Sequence, residues 1–254
     1  MNVITQGLLT NYTADGDPHA PVVLLLHGWG ASLQNLDDLA TRLAADYRVL
    51  RLDFPGFGGT QTPPSAWHVH DYAVFTAAFL EKLGITQLRA VVGHSFGGRI
   101  VISGLADGLL PATRAVLLDS AGLKPAATGR THAFRLVAQA GRLAKLVPGL
   151  ASLAPALRRR LYSSAGSQDY LDAGELRQTF LNVINEDLSA AAARITVPTL
   201  LIWGAEDRDT PPADGKTLAN LIPNSSFSLV AGAGHFVHND AAERVYPLIT
   251  RFLR

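Results

Sequence analysis

Six short apolar runs, each closed by a glycine-bearing turn, constrain what this chain of 254 residues can fold into. Val22 to Leu26 leads into His27-Gly28-Trp29-Gly30, and Arg48 to Leu52 into Asp53-Phe54-Pro55-Gly56. Leu88 to Val92 leads into Gly93-His94-Ser95-Phe96-Gly97-Gly98, and Ala115 to Leu118 into Asp119-Ser120-Ala121-Gly122. Thr199 to Trp203 ends at Gly204, and Ser226 to Val230 ends at Ala231-Gly232-Ala233-Gly234. Helical patterns lie between them; from Ser32 onward, Leu33, Leu36, Leu39 and Leu43 share one face. Strands that are apolar on both faces must be covered on both faces. Their alternation with helices therefore predicts an α/β fold with a mostly parallel central sheet flanked by helices. In such sheets ligands meet the chain beyond the C-terminal strand ends, where all six turns fall.

The rhythm stops between Gly122 and Arg194, where no strand pattern appears. Helices are predicted over roughly Thr131 to Val147, Ala154 to Tyr162 and Gln168 to Leu188. An all-helical insertion after one strand and before the next predicts a cap, or lid, over the catalytic edge. The expected division is a core of residues 1–121 and 195–254 with a cap of residues 122–194. Gly122 to Gln168 carry eight Lys or Arg and no Asp or Glu. A solvated cap face accounts for them; a basic mouth drawing anionic substrates or a membrane surface is the alternative. In the first of these helices Arg135, Gln139 and Arg142 fall on one side, and Leu136, Ala140, Leu143 and Val147 on another, so an apolar roof is expected.

Composition narrows the function classes. The 22 basic and 21 acidic side chains nearly cancel, and no Lys/Arg-rich arm appears, so nucleic acid is not an expected partner. Cysteine is absent, which removes disulfides, thiolate metal sites and a cysteine nucleophile. The start of the chain lacks the basic and apolar regions of a signal peptide, and no apolar run is long enough to span a bilayer. A soluble cytoplasmic protein without stable membrane insertion is the expectation. The oligomeric state is left open.

Ser95 carries the chemistry. In Gly93-His94-Ser95-Phe96-Gly97 it stands between a strand and a helix, as G-x-S-x-G. A strand that reverses abruptly into a helix forces the residue at the bend to φ > 0, and its neighbours two before and two after must be small where the backbones approach. Such a serine is exposed at a sharp point. Its hydroxyl needs a base, commonly His, and the base needs a carboxylate to fix its tautomer. At the ends of later strands stand Asp207, after Trp203-Gly204-Ala205-Glu206, and His235, after Gly232-Ala233-Gly234. Asp119 is the rival acid and His238 the rival base. His238 is expected to begin the last helix, and Asp209 to serve a turn or cap before Pro211-Pro212.

Five segments in this order resemble the α/β-hydrolase superfamily over essentially the full length, in its capped bacterial serine-esterase-like branch. They are His27-Gly28-Trp29-Gly30, Asp53-Phe54-Pro55-Gly56-Phe57-Gly58, Gly93 to Gly98, Trp203 to Asp207, and Gly234-His235. Thr60 stands where the family often has serine. The resemblance implies a Ser95–His235–Asp207 triad and an oxyanion hole built from the backbone N–H groups of Trp29 and Phe96. It implies no cofactor, and a small-molecule ester or acyl compound as substrate. His27 and His94 are expected to hold loops, Asp53 to be structural, and no metal is expected. Carboxylic-ester hydrolysis is the leading expectation. Hydrolysis of carbon–carbon bonds in ring-cleavage products, lyase or perhydrolase chemistry, and a ligand-binding receptor without turnover are the alternatives.

Overall fold

The structure, a computed structural model, describes residues 1–124 and 173–254. The chain divides into two compact units: Met1–Leu123 with Glu186–Arg254, and Lys124–Asn185. The helices expected over Thr131 to Val147 and Ala154 to Tyr162 lie outside the described residues, as does nearly all of the basic segment.

In the first unit, β1 (Asn2–Thr5) and β2 (Leu8–Asp15) form an N-terminal hairpin. The strands β3 (Val22–Leu26), β4 (Arg48–Leu52), β5 (Ala90–His94), β6 (Ala115–Leu118), β7 (Thr199–Gly204) and β8 (Ser225–Val230) follow. The sheet has eight strands in the order β1-β2-β4-β3-β5-β6-β7-β8; β1 and β2 are antiparallel to their neighbours and the rest are parallel. The hairpin, absent from the pattern of apolar runs, closes through a tight Gln6-Gly7 turn with φ of 47° and 81°.

The central strands are buried from end to end, as a sheet covered on both faces requires. On one face Val23, Leu25, Val49, Val92, Val116, Leu118, Leu200 and Ile202 form a core cluster. Leu39 and Leu43 of α1 (Asp37–Leu43) and Val245, Ile249 and Leu253 of α8 (Ala242–Leu253) complete it. The i, i+4, i+8 spacing of the last three puts one stripe of α8 against the sheet. The alternate residues Leu24, Leu50, Val91 and Leu117 are equally buried. α2 (Val69–Lys82) and α3 (Phe96–Ala106) pack on each other, and α3 packs on β5. Each fully buried Leu or Val contributes roughly 1.5–3 kcal/mol, so this two-sided core dominates the stability of the unit.

Several boundaries differ from the sequence expectation. The strand before Ser95 runs to His94 and the helix after it starts at Phe96, whereas the apolar run ends at Val92 and the glycines assign Gly93 to Gly98 to the turn. Gly93 sits inside the ladder, opposite Leu26 and Leu117, and Gly97 and Gly98 lie within the helix; packing overrides their weak propensities. The helix from Ser32 is a 3₁₀ turn, Leu33–Leu36, continuing into α1. The helix predicted to Leu188 appears as a 3₁₀ turn, Gly174–Leu176, and α4 (Arg177–Asn185); a separate short α5 (Ser189–Ala192) follows. In the second unit, Thr179, Phe180 and Val183 make the buried face of α4. α6 is Pro212–Leu221. His238 lies in a short α7 (Val237–Asp240) and does not begin the last helix, which starts at Ala242.

Parallel register brings the strand ends to one edge. Leu26 pairs with Gly93, His94 with Leu118, Leu118 with Ile202, and Gly204 with Val230. The turns that follow these residues therefore stand side by side.

Candidate active site

Ser95 occupies the bend between β5 and α3 at φ 50°, ψ −112°, a region that L-residues rarely adopt. The bend is held by its backbone: the Ser95 N–H donates to Leu118 O at 3.0 Å, and Ser95 O accepts from Gly98 and Ala121 at 3.0 Å each. A Cβ on Gly93 would lie 2.6 Å from the carbonyl carbon and oxygen of Gly97. One on Gly97 would meet the backbone of Leu26 and His27, and one on Gly98 the Ser120 side chain. The glycines around Ser95 are thus required by close approach of strand, helix and neighbouring turns.

The structure brings Ser95, His235 and Asp207 into one line. His235 Nε2 lies 2.9 Å from Ser95 Oγ, and His235 Nδ1 lies 3.0 Å from Asp207 Oδ2. With Nδ1–H donating to the carboxylate, Nε2 carries the lone pair that faces the hydroxyl. Asp207 Oδ1 accepts the N–H groups of Asp209 and Thr210 at 2.8 and 3.0 Å. The Thr210 hydroxyl lies 2.7 Å from Asp207 Oδ2 and 3.3 Å from His235 Nδ1. Trp203 Nε1–H donates to Thr210 O at 2.8 Å and anchors the same turn from the buried end of β7.

The electrostatics follow from this packing. Burial alone would lift the Asp207 carboxyl, but the His235 imidazole and the Thr210 donors together hold it below its ordinary value. Burial alone would lower His235; the hydrogen bond and charge of Asp207, with smaller help from Asp209 and Asp119, raise it instead. The Asp207 side chain has no solvent exposure and His235 keeps 14%.

The rival residues sit elsewhere. Asp119 does not hydrogen-bond to His235: its Oδ1 accepts Gly204 N–H at 2.8 Å and its Oδ2 accepts Val237 N–H at 2.9 Å. His238 Nε2 faces Asn35 O at 3.2 Å. Asp209 is exposed, and Pro211 rather than Asp209 occupies the N-cap of α6. His27 takes Phe54 N–H on Nε2 at 3.0 Å and faces Gly28 O through Nδ1 at 2.7 Å. Asp53 accepts Leu33 N–H and Asn11 Nδ2 at 2.7 Å and Gly59 N–H at 2.8 Å. Thr60 still offers a hydroxyl, donated to Asp53 O at 2.8 Å. Thr210 and the buried role of Asp119 were missed in the sequence. A threonine three residues after an aspartate is the signal of such a turn, but it is common and points to no partner.

Phe96 is the first residue of α3, where backbone N–H groups lack intrahelical acceptors and the helix dipole favours negative charge. The turn after β3 presses on Ser95: a Cβ on Gly28 would lie 3.3 Å from Ser95 Cβ and 3.1 Å from His94 Nδ1. Trp29 follows, its ring edge-on to Phe57 and Phe96 at centroid distances of 4.9 and 5.3 Å. Among the described residues, Asp207, Asp209 and His235 bring potential metal-ligating atoms within 4.8 Å of one another. Both ring nitrogens of His235 already face Asp207 and Ser95. No described helix is long and apolar enough to cross a membrane.

Residues 23–248 match the alpha/beta hydrolase family. Among curated relatives, the chain is 30% identical over 256 residues to a dihydrolipoyllysine-residue acetyltransferase component of the acetoin cleaving system from Pseudomonas putida, covering 97% of this chain and 67% of that protein. It is 28% identical over 255 residues to a poly(3-hydroxyalkanoate) depolymerase from Ectopseudomonas oleovorans, covering 94% and 86%. Among solved structures, the enol-lactonase from Burkholderia xenovorans LB400 superposes with a TM-score of 0.77 at 22% identity, covering 100% of this chain and 99% of that one.

Proposed function

Because the chain belongs to the alpha/beta hydrolase family, we propose that this member is a serine hydrolase that cleaves carboxylic esters through an acyl-enzyme. The observation that carries the reading is the 2.9 Å approach of His235 Nε2 to Ser95 Oγ, with Asp207 Oδ2 3.0 Å from the other ring nitrogen. Ser95 Oγ attacks the acyl carbonyl as Nε2 takes its proton. Asp207 holds the tautomer and stabilises the imidazolium. The N–H groups of Trp29 and Phe96 receive the developing oxyanion, at about 3 kcal/mol of transition-state stabilisation per donor. His235 then protonates the departing alkoxide. A water, deprotonated by the same nitrogen, releases the acid and restores Ser95. Residues 122–194 act as the cap that selects a small-molecule substrate. A poly(3-hydroxyalkanoate) is a polyester, so one of the similar proteins is named for an ester-bearing substrate, in keeping with this reading.

The test is intact-mass labelling with a fluorophosphonate, beside turnover of a panel of esters of graded acyl length and of dienone acids. A single adduct on the wild type, lost in Ser95→Ala and His235→Ala, together with ester turnover, is the expected result. Cleavage of the dienone acids alone would replace the ester assignment with carbon–carbon hydrolysis. No adduct and no turnover would leave a binding protein.

A further inference from the structure

We propose that Asp119 is the positioning residue of the acid–base pair: its carboxylate holds the strand end that carries Asp207 and the loop that carries His235 at the separation where the two side chains meet. This rests on the serine-hydrolase reading and assigns a role to a residue outside the three that react.

Asp119 follows β6, between the strand of Ser95 and the strand of Asp207. It is fully buried, and no ion pair involves it among the described residues. Burying a carboxylate without a cation is expensive, so its hydrogen bonds must account for its presence. They go to two places. Oδ1 receives the N–H of Gly204, the last residue of β7, and Oδ2 receives the N–H of Val237, two residues beyond His235. A third link runs through the main chain: the Thr210 hydroxyl lies 2.9 Å from Asp119 O and 2.7 Å from Asp207 Oδ2, and its single proton serves one or the other.

The geometry is specific to a carboxylate. Two acceptor oxygens on one carbon can each meet an N–H; an asparagine would turn a donor toward one of them. The backbone is also set for this purpose. Asp119 has φ 42°, a conformation that persists only where surrounding bonds over-determine it. Its own N–H donates to Ile202 O at 3.0 Å. The two segments it joins are in backbone contact: a Cβ on Gly204 would lie 2.5 Å from Ala233 O, and Glu206 N–H donates to Ala233 O at 2.9 Å. Asp119 therefore closes a contact that glycine makes possible.

Protonation would make one Asp119 oxygen a donor facing an N–H and open one arm. Burial lifts this carboxyl to about 7; the Gly204 and Val237 N–H groups and His235 oppose the rise, and Asp207 adds to it. Asp207 and His235 are the charged groups that face it. Two groups then govern the acid side of the rate profile, neutral His235 and ionised Asp119.

The experiment compares wild type, Asp119→Asn and Asp119→Ala in ester turnover, in the rate of fluorophosphonate labelling, and in the His235 titration followed by NMR. The expected result is folded variants with kcat and labelling rate down about 10- to 100-fold and KM within about twofold, because a small misplacement of the base acts on the chemical step. The His235 pKa falls by more than the loss of the nearby Asp119 charge brings, because the larger contribution of Asp207 weakens as its grip on His235 loosens. A folded variant with wild-type kcat and an unchanged His235 pKa overturns the inference, whatever its melting temperature. If neither variant folds, Asp119→Glu, which keeps the carboxylate but displaces its two oxygens from the Gly204 and Val237 N–H groups, takes their place: slowed labelling supports the role and a wild-type labelling rate overturns it. If the wild type itself neither labels nor turns over, the hydrolase reading has failed, and the NMR signal of the His235 Nδ1–H bonded to Asp207 judges the positioning: its loss in Asp119→Asn supports the role and its persistence overturns it.

Discussion

The imidazole of His94 donates through Nε2 to the backbone carbonyl of His235 at 2.7 Å. The residue before Ser95 is thereby tied to the backbone of the residue whose ring faces Ser95, across two intervening strands. Removing that donor while keeping bulk, as in His94→Leu, leaves a part-buried carbonyl without its partner. The expected cost is about 1–3 kcal/mol of stability together with slower fluorophosphonate labelling, read by denaturant melts and intact-mass kinetics on the same preparation. An unaltered labelling rate would detach His94 from the site.

Among the described residues, His94 is one of three buried imidazoles that stay neutral. Burial lowers His27 and His238 to about 4 and holds His94 well below 6.5, His94 with added repulsion from His238 and His235. A His whose folded pKa is depressed binds its proton more readily when unfolded. Its stabilising effect is full above the unfolded value of 6.5 and is lost as pH falls toward about 4. For His238 that loss is on the order of 3 kcal/mol. His238→Gln, which keeps a donor for Asn35 O, should lose less stability than wild type between pH 6.5 and 4. Parallel curves for the two proteins would show that His238 is not neutral in the fold.

The rate profile has the opposite sign at His235. Asp207 raises its pKa above 6.5 against the burial that would lower it, so the base is lost to protonation at a higher pH than for a free imidazole. Ester turnover should fall on acidification with a midpoint above 6.5. In Asp207→Asn the midpoint should drop, because burial then acts without its counterweight, while kcat falls by several orders of magnitude. A His235 titration, followed by NMR, that keeps its midpoint in Asp207→Asn would remove Asp207 as the cause of the raised value.

Strain at Ser95 separates two variants that both lack the hydroxyl. At φ 50° and ψ −112° an alanine keeps the steric conflict and a glycine does not. Ser95→Gly should exceed Ser95→Ala in unfolding free energy by about 1 kcal/mol, although glycine ordinarily costs the folded state entropy. Equal stabilities in urea melts would mean that the bend is unstrained.

Some of this was legible in the chain. The alternation of apolar runs with glycine turns predicts the parallel sheet, because both signals are local. The residues at the strand ends include Ser95, Asp207 and His235, which the structure gathers within hydrogen-bonding distance. Gly93, Gly97 and Gly98 misplaced the ends of the Ser95 strand and helix, since glycine reads as a turn wherever close packing requires it. The hairpin of β1 and β2 leaves no such mark, because its strands are largely exposed or half-buried and carry no continuous apolar run.

By itself, the sequence determined the layered α/β architecture, the position of the sharp bend at Ser95, and the small set of acids and bases that strand ends could present. Only the tertiary structure decided among them. Asp207 and Asp119 each follow a parallel strand, and nothing local distinguishes their carboxylates. The register of β6, β7 and β8 sends one to the His235 ring and the other to two backbone N–H groups. The same register buries His94 beside that ring and His238 against His94. Where a side chain points depends on its own φ and on neighbours a hundred residues away, and those are set when the sheet closes.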